Sequence, residues 1–173
     1  HPGLIDVDLA AQIMDRFGLE HAVVVDTQDD HAESMRRHLG QVAAELLAEV
    51  IGPEDVLGVA WSRAVGAMAR ALPRLSSVPV VQLTGAISMP ADDHSSIDVV
   101  RDVARAAGGP AYVFYAPFTV PDAATAHALR QQHDIARAFD HLSRVTKAVV
   151  GLGLWAPGQS TLYDTAPDQD RRT

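Results

Sequence analysis

A polar corner at Trp61, Ser62 and Arg63 is the stretch of this sequence whose residue types could do chemistry. It stands between an apolar run at residues 55–60 and a helical spacing of apolar residues that continues to residue 72, an order typical of a strand, a tight turn and a helix. The first N–H groups of a helix favour an anion, and a guanidinium adds a fork of donors. The corner therefore predicts a site for a phosphate or a carboxylate. Trp61 is compatible both with packing on a sugar and with burial in the core.

Other apolar runs also end in small or polar residues. These residues are Gln82, Thr84, Gly85, Ala116, Pro117, Gly151 and Gly153. A glutamine or threonine at a strand end can bind sugar hydroxyls or complete backbone pairing, and glycines there allow either close approach of a ligand or tight helix packing. Ser95 and Ser96 open a helical stretch, where both are typical of caps, and Ser96 is also a candidate ligand contact.

Apolar runs that predict strands largely alternate with amphipathic stretches that predict helices. The strands are expected at residues 21–26, 55–60, 77–86, 111–117 and 148–155, and the helices at residues 7–17, 30–50, 63–72, 95–107, 123–130 and 135–145. Continuous apolar strands between helices indicate an α/β fold with a mostly parallel, Rossmann-like sheet and helices on both faces. Ligands bind such sheets beyond the carboxyl ends of the strands, where the residues named above lie.

The composition bounds the class of protein. With 173 residues, of which 47% are hydrophobic, the chain fits one domain with a core of its own, and its formal charge of −8 gives no basis for binding nucleic acid unaided. It has no cysteine, and we see neither a membrane span nor a signal peptide, so the cytoplasm is the expected compartment.

We expect neither a metal nor an organic cofactor. For the metal, the reason is that no two histidines have the i, i+4 spacing of a helical metal site. Lys147, the only lysine, precedes the last strand and lies away from the corner, which argues against a Schiff base.

Four segments in order carry a resemblance to a known family: residues 57–63, residues 80–85, the pair Ala116-Pro117, and residues 149–153. They resemble the effector domain of SorC-type bacterial transcriptional regulators. The resemblance implies a fold like those of glucosamine-phosphate deaminase and ribose-phosphate isomerase, and a phosphorylated sugar or polyol as effector. It also implies a homo-oligomer that contacts DNA through a domain absent from this chain. The effector contacts it implies are Trp61, Ser62, Arg63, Gln82, Thr84, Gly85, Ser96, Ala116, Pro117, Gly151 and Gly153.

The chain departs from the family pattern in two ways. The family's turn usually has Trp-Gly-Arg-Thr where this chain has Trp61-Ser62-Arg63-Ala64, so a glycine and a hydroxyl donor are replaced, and Ser62 can supply the hydroxyl. The family's effector domain also continues past the last, glycine-bearing strand. We therefore expect residues 1–173 to be a single effector domain without its DNA-binding domain and without part of its C-terminal half, and residues 165–173 to be a frayed tail.

These observations favour a sensor of a sugar or sugar phosphate that regulates carbohydrate metabolism, and not an enzyme. The alternative is a sugar-phosphate isomerase or deaminase on the same scaffold. Such an enzyme needs a general base, for which Asp92, Asp93 and His94 are the candidates. A third possibility is an oligomerisation scaffold, which would bind no sugar phosphate.

Overall fold

The computed structural model describes residues 5–26, 31–87 and 95–166, together with residues 168 and 171. Within these ranges, one sheet is formed by β1 (Leu57–Val59), β2 (Val80–Gln82), β3 (Ala111–Tyr112) and β4 (Lys147–Val149). The strand order is β3-β2-β1-β4, and every neighbouring pair is parallel. The predicted α/β class with a parallel sheet is confirmed.

Helices surround the sheet close to where the periodicity predicts them. They are α1 (Val7–Phe17), α2 (Ala32–Val50), α3 (Arg63–Ala71), α4 (Ser96–Ala107), α5 (Ala123–Arg130), α6 (His133–Leu142) and the short α7 (Thr161–Thr165), which the sequence analysis missed. No helix within the described ranges combines the length and the apolar character that crossing a membrane requires.

Caps explain why several helix ends fall where they do. The Asp6 side chain accepts from the backbone of Leu9 at the start of α1, and Gly18 ends that helix in the left-handed conformation, with φ 64°. Ser95 and Asp98 form a reciprocal capping box at the start of α4, and Gly108 ends it in the same way, also with φ 64°. These residue types are readable in sequence, so these boundaries were predictable.

The handedness of the crossovers distributes the helices over two faces. Because parallel crossovers are right-handed, α3 and α4, which lead from β1 to β2 and from β2 to β3, lie on one face. The connection from β3 back to β4 runs the other way and places α5 and α6 on the opposite face. Two separate apolar clusters agree with this division, a large one with α2, α3 and α4 and a small one around Phe114, Ile135 and Ala138.

The large cluster holds the centre of the sheet in place. Leu57, Val59 and Val80 are fully buried against Met68 of α3 and Val103 of α4. Full burial of a Val, Leu or Met side chain contributes about 1.5–3 kcal/mol each. The strand that carries the polar corner is therefore held on this face by a well-packed core. In contrast, β4 is an edge strand, and Leu152, which follows it, is 97% exposed.

Helix α2 packs on α3 through a backbone contact at Gly40. A Cβ built on Gly40 would lie 2.7 Å from the backbone carbon of Ala67 and 2.7 Å from the backbone nitrogen of Met68. Real Cβ atoms do not approach backbone atoms so closely, so the two helices can touch here only because residue 40 has no side chain.

The predicted strand at residues 21–26 is wrong. Only Val25 pairs in this segment, in an isolated antiparallel bridge with Ile5, and the segment is exposed or half-buried throughout. Its β-branched residues give it strand propensity, but propensity needs a neighbouring strand, and the order β3-β2-β1-β4 contains none for it. The other predicted strands exist but are shorter than their apolar runs, because β-pairing stops where the connecting loops diverge.

At the amino edge of the sheet, an ion pair joins the beginnings of β1 and β4. The ammonium group of Lys147 lies 2.7 Å from Oδ2 of Asp55, the Thr146 hydroxyl donates to Oδ1 at 2.7 Å, and the Gly52 backbone donates to Oδ2 at 2.7 Å. These bonds, that of Lys147 most of all, lower the pKa of Asp55 from 3.8 to about 2. Lys147 thus has a structural partner, at the edge opposite the polar corner.

We predict that Gly40→Ala destabilises the protein, although alanine is the better helix former. Overpacking against the backbone of α3 costs about 1–3 kcal/mol, against a propensity gain of about 1 kcal/mol. Gly66→Ala is the matched control, because a Cβ there meets its nearest atom at 3.7 Å, and this variant should be unchanged or more stable. Urea unfolding measures both, and a Gly40→Ala variant as stable as Gly66→Ala would contradict the contact.

We predict that the stabilisation by Asp55 depends on pH. Because its pKa is lower in the folded protein than in the unfolded chain, its contribution is complete above pH 3.8 and is lost as the pH falls towards 2. Asp55→Asn should therefore melt below the wild type at pH 7, and the difference should shrink as the pH approaches 2. Asp102→Asn is the control, since its pair with Arg105 is solvent-exposed. A deficit of equal size at pH 7 and pH 2 would rule out the ionic contribution.

Candidate functional site

The polar corner forms the N-terminus of α3. Ser62 has an extended backbone, and its hydroxyl oxygen accepts from the backbone of Val65 at 3.0 Å, so Ser62 is the N-cap. A serine hydroxyl that accepts a bond still has its own hydrogen to donate. The first N–H groups of α3 have no partner within the helix, and the exposed Arg63 begins it. The elements of an anion site predicted from sequence thus lie together at one helix start.

This helix start faces the loop that follows β4, because β4 is the neighbour of β1. A Cβ built on Gly151 would lie 2.6 Å from the Cβ of Ser62 and would collide with its hydroxyl. The strand order reverses between β1 and β4, since the chain adds β2 and β3 on one side of β1 and β4 on the other. Ligands of open parallel sheets bind at such a switch point.

The end of β2 is joined to the corner through Thr84. The backbone N–H of Trp61 donates to the Thr84 hydroxyl at 3.3 Å. The buried carboxamide of Gln82 donates to the carbonyl of Thr84 at 2.7 Å and to that of Phe114 at 3.3 Å, and it accepts from the Phe114 backbone at 3.2 Å. Both amide hydrogens of Gln82 are therefore used within the protein, which is the pairing role that the sequence analysis gave as one of two alternatives.

Gly85, Ala116 and Pro117 hold the loops after β2 and β3 together. Ala86 forms a parallel bridge with Pro117, and its N–H donates to the Ala116 carbonyl at 2.8 Å. A Cβ on Gly85 would lie 2.6 Å from the carbonyl carbon of Pro117, so the bridge needs a glycine here. These residues extend the carboxyl edge of the sheet through their backbone.

Two predicted contacts stand apart from this group. Ser96 is 3% exposed, and its hydroxyl has no hydrogen-bond partner in the part of the chain that the structure describes; the cap of α4 is Ser95. Gly153 has as its nearest potential neighbours Gln159, with its carbonyl oxygen 3.5 Å from a Cβ built on Gly153, and Ser160. In the described part of the chain, no hydrogen bond joins either residue to Ser62 or Thr84.

A cavity of about 640 Å³ opens beside the corner, on the outer side of α3. Trp61, Ser62 and Arg63 line one end of it. Three further arginines line the rest, and the sequence analysis missed them: Arg36, Arg37 and Arg70. The one available signal was the spacing of seven residues between Arg63 and Arg70, which puts both on the same face of a helix.

The candidate bases of the enzyme alternative, Asp92, Asp93 and His94, lie outside the described residues. Within the described residues, no group of three or more histidine, aspartate or glutamate side chains is placed to hold a metal ion.

Comparison with known proteins places this geometry in a family. Residues 4–171 match the family described as "Putative sugar-binding domain". Over 155 residues, 85% of this chain and 47% of the relative, the chain is 32% identical to the transcriptional regulator YjhU of Escherichia coli K12. It is 27% identical over 153 residues, with the same coverage of 85% and 47%, to the erythritol catabolism regulatory protein EryD of Brucella abortus strain 2308. The chain thus spans about half the length of these curated relatives.

A solved structure supports the same assignment. The domain of a possible sugar-binding transcriptional regulator from Arthrobacter aurescens TC1 superposes with a TM-score of 0.78 at 25% identity, over 95% of this chain and 64% of that one. The sequence match covers nearly the whole chain, and the TM-score shows that the fold is shared. The chain belongs to the family of sugar-binding domains found in SorC-type bacterial transcriptional regulators.

Proposed function

We propose that this domain binds a phosphorylated sugar or polyol as the effector of a transcriptional regulator, over the carboxyl ends of β1 and β4. The observation that carries the proposal is the junction of Ser62 with Gly151, which sets the N-terminus of α3 at the switch point of the sheet. A relative named for erythritol catabolism supports including polyols among the candidates.

The chemistry of the helix start suits a phosphate. The first-turn N–H groups that Ser62 does not cap and the positive end of the helix dipole attract it, and the Arg63 guanidinium can bind two of its oxygens. In the described part of the chain, no carboxylate pairs with Arg63. The family's glycine is replaced by Ser62, whose oxygen is bonded back to the helix as its cap. We infer that the Ser62 hydroxyl hydrogen and Arg63 together take over phosphate binding.

The sugar or polyol would lie over the neighbouring strand ends. Thr84 is bonded to the backbone of Trp61 and fixes its position, while Trp61 is half-buried and can pack on a sugar face. The buried Gln82 contributes indirectly, because its carboxamide donates to the carbonyl of Thr84 and holds Thr84 in place. The pocket therefore combines a charged end, at α3, with a neutral end, at β2.

In this proposal the domain is a sensor and not an enzyme, as its relatives are transcriptional regulators. Binding of the effector would shift the domain between two conformations that differ in subunit contacts, and a DNA-binding domain outside this chain would gain or lose affinity for its operator. The full-length protein would be a homo-oligomer.

We predict that Arg63→Ala weakens the binding of a sugar phosphate without unfolding the domain. Loss of a charge-assisted contact to phosphate weakens binding about tenfold or more, and alanine preserves the helix. The measurement is a thermal-shift screen of tetrose, pentose and hexose phosphates, their alditol phosphates and the free sugars, followed by calorimetry on the hits. Arg74→Ala is the control, because it removes the same charge from an exposed residue outside the site.

The same screen separates the competing functions. If none of the ligands shifts the melting temperature, only the oligomerisation scaffold would remain among the three functions. Exchange of the proton at sugar C1 or C2 with solvent would show an isomerase or deaminase. A phosphorylated hit whose shift survives in Arg63→Ala would remove Arg63 from the site.

We predict that Gly151→Ala weakens effector binding and removes the cap of α3. The added Cβ collides with Ser62, and loss of a serine N-cap costs about 0.5–2 kcal/mol. Gly153→Ala is the matched control, since its nearest contact is an ordinary 3.5 Å. The double variant Gly151→Ala/Ser62→Gly removes the collision, so it should recover stability in urea unfolding; a double variant no better than Gly151→Ala would contradict the junction.

A further inference from the structure

The outer edge of β4 and the segment that follows it form an exposed surface. On its inner side, the N–H of Lys147 and the carbonyl of Val149 form hydrogen bonds of 3.3 Å and 3.0 Å to the residues that flank β1. The backbone groups of successive residues in a strand point to opposite sides. The N–H and C=O groups of Ala148 and Val150 therefore point to the outer edge, where the described part of the sheet has no further strand.

The segment after β4 has two different sides. Gly151 lies against the start of α3, since a Cβ built on it would be 2.6 Å from the Cβ of Ser62. The large apolar residues that alternate with glycine in this segment are exposed to solvent: Val150 is 56% exposed, Leu152 97% and Leu154 69%. The small residue thus packs on the protein, and the large ones are left without packing of their own. Exposed apolar residues that lie together mark an interaction surface.

This surface lacks the charges that usually protect a sheet edge. Natural proteins guard open edges with lysine or other charged residues, or with proline. Residues 148–163 contain no Asp, Glu, Lys, Arg or His. Lys147 begins the strand, but its ammonium group lies 2.7 Å from Oδ2 of Asp55 and so is engaged within the protein. The edge of β4 is therefore open to another strand.

The distribution of charge favours a second copy of this chain as the occupant. With a formal charge of −8, two copies repel each other over most of their surfaces, but not where both are neutral. The other group of exposed apolar side chains, within residues 5–23, is unsuitable, because residues 5–26 hold five acidic side chains and a single arginine, Arg16. The neutral surface at β4 is the one at which two copies can meet.

We propose that the outer edge of β4 and the exposed residues after it bind a second copy of this chain, with the two β4 strands antiparallel. A two-fold axis at Val149 places Ala148 of one copy opposite Val150 of the other, so that each residue both donates and accepts a backbone hydrogen bond. The two four-stranded sheets then become one continuous sheet. The interface gives the homo-oligomer of the proposed function a location, and it rests on that part of the proposed function and not on effector binding.

The test measures the mass of the 173-residue chain by light scattering after gel filtration, over a range of concentrations. The wild type should be a dimer. Leu152→Asp should weaken dimerisation at least about tenfold, because it places a carboxylate in the apolar contact, and a side chain that is 97% exposed contributes little to the fold of the monomer. Ala148→Pro should also weaken it, since it removes a donor from the open edge, where proline is tolerated. Phe17→Asp is the matched control, an exposed apolar residue on α1, and should remain a dimer.

A monomeric wild type would overturn the proposal, and so would a dimer that persists in both Leu152→Asp and Ala148→Pro. A dimer that dissociates only in Phe17→Asp would place the interface on α1 instead. A monomer that binds phosphatidylcholine vesicles through Leu152 would make a lipid surface the occupant and overturn the second copy. A monomer that still shows a melting shift with a sugar phosphate would defeat this interface and leave the effector pocket standing, whereas a dimer without any such shift would do the reverse.

Discussion

The structure depends on β1 being hydrogen-bonded to a parallel strand on each side. Its three residues are buried, and hydrogen bonding continues one residue past the ends of β2 and β1: the N–H of Leu83 donates to the carbonyl of Val59, and that of Ala60 donates to the carbonyl of Val149, each at 3.0 Å. These bonds fix where three loops leave the sheet. Thr84 and Gly151 are consequently each held beside the residues that begin α3, Thr84 through its hydroxyl at the Trp61 backbone and Gly151 through its close approach to Ser62.

This arrangement divides the predicted site residues by what they do. Ser62 and Arg63 present donors at a helix start, whereas Gln82, Gly85 and Pro117 hold the loops that surround it. Residues of the second kind are engaged within the protein and set the shape of this edge of the sheet, and the buried, fully bonded Gln82 at the end of β2 is one of them. Such a frame suits the proposed sensor, because a ligand can shift a conformational equilibrium only if its contacts differ between the two states.

Much of this was predictable from the sequence, because the signals are local. Asp6 and Gly18 mark the two ends of α1, and the apolar run before Ser62 marks β1. Non-local features were not predictable. Residues 21–26 have the composition of a strand but no neighbouring strand, and Arg36 reads as one more solvated residue of α2 until α3 is placed beside it. The direction of the Gln82 carboxamide was open for the same reason, since its partner Phe114 is 32 residues away.

The bare contact at Gly40 has a mechanical consequence. Elsewhere in a protein interior, a small displacement of one helix is absorbed by side chains that change rotamer. Between α2 and α3 the backbones themselves touch, at Gly40 and Ala67, so no side chain stands between them to yield. A ligand that tilts the beginning of α3 would therefore move α2 with it as a rigid body. Because α2 has 19 residues, the displacement would be largest at the end of α2 farthest from Gly40.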